Sequence, residues 1–509
     1  MRNKILTISL ILVLVCALLP GQGQNPAPGQ TTPASSSAKG KASLVSYAGV
    51  AGKTATPSGY SIAVYFEGVT VTDSLYLLKY QGSHSTRIQG TLMKESRALF
   101  RGATPLTPGM YAVELQNLGN IAFLISAGAP QQFTLSAQPA RLPAMLRFDG
   151  SPENQAFADY QRFIQKTQQD QQALEQRLRK SQNNADSATA IGKAYKKLEE
   201  ERHRKVISIQ KDFPGSMVAM FTLAVHEAPI PDPAIPDTIP GYQELIMDYY
   251  THYTRRHFFD VISFSDPRIT HTPLLEQKLD YYFKRLVSPH PDSVIAHIGP
   301  ILGQKGIHDE VFSQAATYLY ELYRLSNLPE HRQVCNHIAE KHILPHRNRF
   351  SDPVFLAKVA DRTARARLNP VGSVATDLRL QTPDGKETRL SEVVSPLTIL
   401  YFYNPGCSAC QPITDRIIRN YKLYKSRGME VFAVYLEHDK KVWTDYIASK
   451  KLDWINVYDP TGQEMVEEKY DIYAMPMIYV LDRDKRVIAR DVSAERLSNF
   501  ILGRESTTP

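Results

Sequence analysis

The chain has 509 residues, 43% hydrophobic and 22% charged, a balance ordinary for folded protein but too long for a single core, so several domains are expected. Its formal net charge is +8, with lysines and arginines interleaved among acids along most of the chain. No basic stripe carries stacking aromatics, which argues against a nucleic-acid partner.

Arg2 and Lys4 precede an apolar run over 5–19, closed by Pro20-Gly21-Gln22-Gly23. A basic start, a short apolar stretch and small residues after it predict a secretory signal peptide over 1–23, with an uncleaved anchor as the alternative. Cys16 raises the question of a lipid anchor. Val15 stands where a lipoprotein signal needs a small residue, which disfavours it. No later segment is long and apolar enough to span a bilayer. The expected location is therefore the periplasm or cell envelope, with membrane association possible through the N-terminus. After cleavage only Cys335, Cys407 and Cys410 remain. That is one close pair and one lone thiol, no disulfide framework. A pair two residues apart closes too small a loop to stabilise much.

Residues 24–42 are rich in Pro, Gly, Gln, Ser and Thr without apolar periodicity and read as a disordered linker. Over 43–145 short β-like runs at 61–66, 74–80, 111–115 and 122–125 are punctuated by Gly, Pro, Ser and Thr, which predicts an antiparallel β-sandwich-like domain. Over 146–370 the spacing turns helical, with helices expected near 159–180, 187–211, 215–226, 241–262, 273–287, 309–325, 330–344 and 352–366. Five prolines between Pro229 and Pro240 make that stretch a loop. This is an all-α region without a fixed-period repeat. In it His331, Cys335, Ile338, Ala339 and His342 share one helical face, so a metal site is conceivable; a buried thiol among satisfied histidines is the reading preferred here. Over 371–505 strands and helices alternate, as in a central sheet with helices on its faces.

The chemistry sits in that last region. An apolar run, Leu397-Thr398-Ile399-Leu400-Tyr401-Phe402-Tyr403, reads as a buried strand and is broken by Asn404-Pro405-Gly406. Cys407-Ser408-Ala409-Cys410 follows, and Ile413, Ile417, Tyr421 and Tyr424 then recur at helical spacing. Two thiols thus stand where a strand hands over to a helix, whose first turn has free N–H groups and a positive dipole end. Such a position favours thiolate chemistry, with Cys407 at the cap attacking and Cys410, one turn in, buried and resolving. Half a zinc site is the competing reading. The region holds no second cysteine pair, and His438 is its one histidine, so no metal or other cofactor is expected.

These residues carry a resemblance. Gly372, Asp377-Leu378-Arg379-Leu380, Asp384-Gly385-Lys386, Leu390-Ser391-Glu392-Val393, the Tyr403-to-Cys410 stretch, and Tyr470-Asp471-Ile472 leading to Met475-Pro476 resemble the thioredoxin-fold thiol-disulfide oxidoreductases of the bacterial envelope, of the cytochrome-maturation (TlpA-like) type. The resemblance implies a redox-active Cys407–Cys410 disulfide and a cis bond before Pro476, with Met475 and Pro476 as a shelf for an extended substrate. It also implies cysteine-containing envelope proteins as partners, reduction as the commoner direction, a membrane electron donor, and a link to cytochrome c biogenesis. Two departures stand out. Tyr401 occupies the position where many thioredoxins carry a buried acid, and Ser408-Ala409 replaces the commoner Gly-Pro. The preceding regions more loosely resemble two uncharacterised domains that often precede thioredoxin domains, the helical one starting near Phe148-Asp149-Gly150-Ser151-Pro152-Glu153-Asn154. The alternative function is an envelope binding or scaffold protein whose thioredoxin-like domain is structural or only redox-sensing.

Overall fold

The computed structural model describes residues 59–500 apart from 70–72, 116–118, 181–184, 227–229, 232, 237, 327, 329, 473–474, 491, 493–495 and 498–499. The expected signal peptide and linker lie outside the described residues. Contacts divide the chain into two compact units, Met1–Leu286 and Val287–Pro509. The division falls inside the long helical stretch, so each unit combines sheet and helices. Among the described residues no helix is long and apolar enough to cross a membrane.

Among the described residues the first unit has eight strands ahead of its helices: β1 (Tyr60–Phe66), β2 (Ser74–Gln81), β3 (His84–Leu92), β4 (Arg97–Gly102), β5 (Gly109–Leu115), β6 (Gly119–Ile125), β7 (Gln132–Ala137) and β8 (Arg147–Asp149). They form two four-stranded sheets, β4-β1-β7-β8 and β3-β2-β5-β6. Alternate residues point inward, as strand geometry dictates. Ile62, Val64 and Phe66 of β1 meet Leu75 and Leu77 of β2, Tyr111 and Val113 of β5, Phe123 of β6 and Phe133 and Leu135 of β7 in one core. The sandwich is therefore present, but it is mixed, because β1 and β7 run parallel. β3 escaped notice in the sequence because His84-Ser85-Thr86-Arg87 is polar and exposed. Gly82, at φ +57°, supplies the tight turn that brings it back on β2.

Helices α1 (Pro152–Lys180), α2 (Ala185–Asp212), α3 (Met217–Val225), α4 (Tyr242–His257) and α5 (Leu274–Tyr281) complete this unit. The buried Glu153 carboxylate accepts from the Val218 amide at 3.0 Å and from Ser126 Oγ at 2.6 Å. It thus satisfies the open N-terminal amides of α3 and ties that helix to the end of β6.

The second unit begins with α6 (Pro291–Leu302), α7 (Asp309–Arg324), α8 (His331–Ile338) and α9 (Pro353–Ala366). α6 was not expected, since Pro291 and Gly299-Pro300 read as breakers. Pro291 instead takes the first turn, where its missing N–H costs nothing, and Val294, Ile298, Ile301 and Leu302 bury one face. The helix expected to run to residue 344 loosens after α8 into a π turn at Ala339–Ile343 and a 3₁₀ turn at Leu344–Arg349.

Then come β9 (Arg379–Gln381), β10 (Glu387–Arg389), β11 (Leu397–Tyr403), α10 (Cys410–Tyr424), β12 (Met429–Tyr435), α11 (Lys440–Lys450), β13 (Ile455–Tyr458), α12 (Val466–Lys469), β14 (Met477–Leu481) and β15 (Val487–Arg490). They build one seven-stranded sheet in the order β10-β9-β13-β12-β11-β14-β15. β11 is an interior strand, parallel to β12 and antiparallel to β14. Both of its faces are covered, which explains a continuous apolar run. Ile399, Tyr401 and Tyr403 pack with Ile417 and Tyr421 of α10 and with Trp443 and Trp454. Leu400 and Phe402 pack on the other side with Phe432, Tyr470 and Tyr479. Gly428, at φ +91°, turns the chain from α10 into β12; a Cβ there would sit 2.7 Å from Pro396 Cγ. The architecture is thus a β-sandwich-like N-terminal part, a helical middle and a C-terminal thioredoxin-like α/β domain. The helix expected after Ser493 lies mostly outside the described residues.

Candidate active site

Where β11 ends, Asn404 organises the turn. Its side-chain oxygen accepts from the Gly406 amide at 2.8 Å and its carbonyl from the Cys407 amide at 3.1 Å. Its amide nitrogen donates to Glu437 at 3.1 Å, which pins the turn to the loop after β12. The Cys410 amide closes onto the Cys407 carbonyl at 3.0 Å. Helix α10 starts at Cys410, with Ala409 as its cap. Cys407 therefore stands in the turn leading into the helix, just ahead of the cap position expected for it.

The two thiols are unbonded and differ in access: Cys407 is half-buried, Cys410 buried. Cys407 Sγ lies 3.8 Å from the Met475 carbonyl oxygen, which accepts its hydrogen bond. The Met475–Pro476 peptide is cis. Met477, just after it, sits opposite Phe402 on β11, so this loop and the cysteine turn occupy the same end of the sheet. Burial pushes the Cys410 thiol up to about 12; its hydrogen bond with Cys407 adds to this, and a backbone hydrogen bond from Asn404 opposes it. Cys410 thus rests protonated.

Beneath Cys410, at the position where an acid stands in many thioredoxins, Tyr401 is fully buried. Its hydroxyl donates to the Cys410 carbonyl at 3.3 Å and meets Thr414 Oγ1 at 2.9 Å. Thr414 also donates to that carbonyl, at 3.0 Å. Burial holds the Tyr401 phenol well above its usual range, so it is a neutral hydroxyl that can relay a proton but not act as a base. Tyr401 stacks on Tyr403 with ring centroids 5.1 Å apart, and Trp443 Nε1 donates to the Tyr403 hydroxyl at 3.0 Å. A cleft of about 260 Å³ opens at the end of β12, lined by residues including Tyr435, Leu436, His438, Met465 and Glu467. Clefts at the carboxyl ends of parallel strands are the usual ligand sites of such sheets.

The structure thus brings together Cys407, Cys410, Met475 and Pro476. Sequence reasoning missed Glu437 and Thr414, and read Asn404 only as part of the break that ends the strand. The Glu437 contact spans β12 and left no local signal.

Cys335 lies apart in α8. It is buried, its Sγ donates to the Tyr320 carbonyl at 3.7 Å, and burial pushes it up to about 12. His331 on the same face is engaged on both nitrogens, by Ser326 Oγ and the Pro289 carbonyl, each at 2.7 Å. Among the described residues no group of three or more His, Cys, Asp and Glu could hold a metal ion.

Comparison with known proteins is consistent with this geometry. Residues 371–490 match the AhpC/TSA family, and this C-terminal domain is thioredoxin-like. Thiol-disulfide oxidoreductase ResA of Bacillus subtilis (strain 168) is 26% identical over 117 residues, which cover 23% of this chain and 64% of that protein. ResA of Geobacillus kaustophilus is 25% identical over 134 residues, covering 26% of this chain and 76% of that protein. Among solved structures, a domain of a possible thiol-disulfide isomerase from Cytophaga hutchinsonii is 31% identical, with a TM-score of 0.26, over 27% of this chain and 95% of that one. A thioredoxin-like protein from Bacteroides caccae is 18% identical, with a TM-score of 0.41, over 55% of this chain and 100% of that one.

Proposed function

We propose that this chain is a thiol-disulfide oxidoreductase of the bacterial cell envelope, exchanging disulfides with cysteines of exported proteins and acting mainly as a reductant. The observation that carries the reading is the unequal cysteine pair: Cys407 reachable and set against the Met475 carbonyl, Cys410 buried at the start of α10. The relatives named thiol-disulfide oxidoreductase support the same chemistry.

In the reducing direction, the Cys407 thiolate attacks one sulfur of a substrate disulfide. A Cys407–substrate mixed disulfide forms and one substrate thiolate leaves. Cys410 then gives up its proton and attacks Cys407 Sγ. The Cys407–Cys410 disulfide forms and the second substrate sulfur departs, taking up the proton. Two electrons pass to the substrate. A dithiol donor at the membrane returns them by the same exchange in reverse. Burial and the high proton affinity of Cys410 keep it silent until Cys407 is engaged. The Met475 backbone beside Cys407 offers a hydrogen-bonding edge to an extended substrate strand.

Cytochrome c maturation is one setting for such reduction. The N-terminal signal read in the sequence supports export. The decisive experiment is Cys410→Ser in cells: mixed disulfides should accumulate through Cys407 and vanish on reduction. If none form, the thioredoxin-like domain serves a binding or scaffold protein instead. The pair's reduction potential then gives direction, near ~−270 mV for a reductant and near ~−120 mV for an oxidant.

A further inference from the structure

The loop that carries Met475 is held from outside the sheet. Arg332 on α8 is 4% exposed and Asp471 is 5% exposed, and the two form a buried ion pair through Arg332 Nη2 and Asp471 Oδ2. The other guanidinium nitrogen, Nη1, lies 4.0 Å from Met477 Sδ. Asp471 precedes the Met475–Pro476 bond and Met477 follows it at once. One side chain thus touches the loop on both sides of the residue that faces Cys407.

The N-terminal side of the loop is stiffly built. Tyr479 donates its hydroxyl to the Tyr470 carbonyl at 3.0 Å, and Asn369 Nδ2 donates to the Lys469 carbonyl at 2.9 Å. Asp471 itself sits at φ +49°, a left-handed conformation that non-glycine residues seldom adopt although Asp tolerates it better than most. Such a residue stays put when its surroundings over-determine it.

Stability alone is a weak account of the pair. Removing two charges from water carries a large desolvation penalty, and well-packed apolar residues of similar volume often serve as well or better. What the pair supplies is geometry, because a guanidinium is a planar fork of donors with set directions. We infer that Arg332 is a positioning residue: it holds Asp471 and Met477, on either side of Met475, so that the Met475 backbone meets an extended substrate beside Cys407. On this view α8, a helix outside the thioredoxin-like sheet, belongs to the substrate-binding apparatus. The inference rests on the thiol-disulfide reading and deepens it.

The test is single-turnover reduction of an extended cysteine peptide carrying a thionitrobenzoate disulfide by the fully reduced chain. It reads the half-saturating peptide concentration and the limiting rate, with Cys407→Ser as the blank. Arg332→Met should raise the half-saturating concentration roughly fivefold or more, with the limiting rate changed less than about twofold. A merely structural role has a different signature: partial unfolding frees the buried thiols, adds a non-saturating phase of thionitrobenzoate release and leaves the half-saturation of the folded fraction where it was. Asp471→Asn, which keeps the volume and a hydrogen-bonding oxygen, should shift half-saturation in the same direction and carries the decision alone if Arg332→Met does not fold. Unchanged half-saturation in the folded variants overturns the inference. Absence of release from the wild-type chain itself would instead overturn the thiol-disulfide reading beneath it.

Discussion

Cys335 in α8 and Cys410 at the start of α10 are both buried thiols, and loss of solvent pushes each up to about 12. Their neighbours differ. Cys335 points its hydrogen at the Tyr320 carbonyl and lies in a small cavity with Arg324, Arg332 and Arg362. Burial raises its proton affinity most; Arg362, Arg324 and Arg332 pull it down and Glu321 pushes it up, and burial wins. Cys410 has a second, more accessible sulfur beside it, in the turn that brings Cys407 to the Met475 carbonyl. The contrast teaches that electropositive surroundings do not make a working thiol without access. A silent buried thiol becomes useful when a reachable partner is set next to it.

The strongest way to break this contrast is to remove each sulfur in turn. Cys407→Ser should abolish single-turnover disulfide reduction, while Cys335→Ala should leave the rate per folded molecule within about twofold of wild type. Comparable losses from both would end the distinction. A smaller effect lies in alkaline stability. The folded chain holds the Cys335 proton up to about 12, whereas an unfolded cysteine releases it near ~8.5. Within that window the unfolded state binds fewer protons, so this contribution is whole below ~8.5 and lost as pH climbs toward 12. Cys335→Ala should therefore flatten the alkaline decline measured by denaturant titration, by at most ~1.4 kcal/mol per pH unit. The smallest effect concerns the hydroxyls under Cys410. Tyr401→Phe removes one of two donors to the Cys410 carbonyl, and Thr414 keeps the other. The expected loss is about 1 kcal/mol of unfolding free energy, read from the denaturant midpoint. A much larger loss would mean that Tyr401 bears more of the site than its two contacts indicate.

How much of this was legible in the sequence follows from how local each feature is. The β11 run, the cysteine spacing and the apolar stripe of α10 are contiguous, so they could be read directly. The pairing of β1 with β7 could not, because a parallel partner some seventy positions away leaves no periodic trace. Strand β3 carries few apolar residues, and α6 hides behind Pro291 and Pro300. At the site, Met475 and Pro476 were legible as a motif. The Arg332–Asp471 pair was not, since 139 positions separate its members and each alone looks like an ordinary surface charge.

The packing beside Cys410 has one more consequence. The chain holds two tryptophans, Trp443 and Trp454, and both lie in the core that also contains Cys410. Trp443 stacks on Tyr435 with ring centroids 5.7 Å apart and is hydrogen-bonded to Tyr403, next in the stack to Tyr401. Everything before residue 443 is silent to selective indole excitation. Tryptophan fluorescence of the intact chain therefore watches the thioredoxin-like domain alone, a native optical channel to the surroundings of the cysteine pair that needs no label.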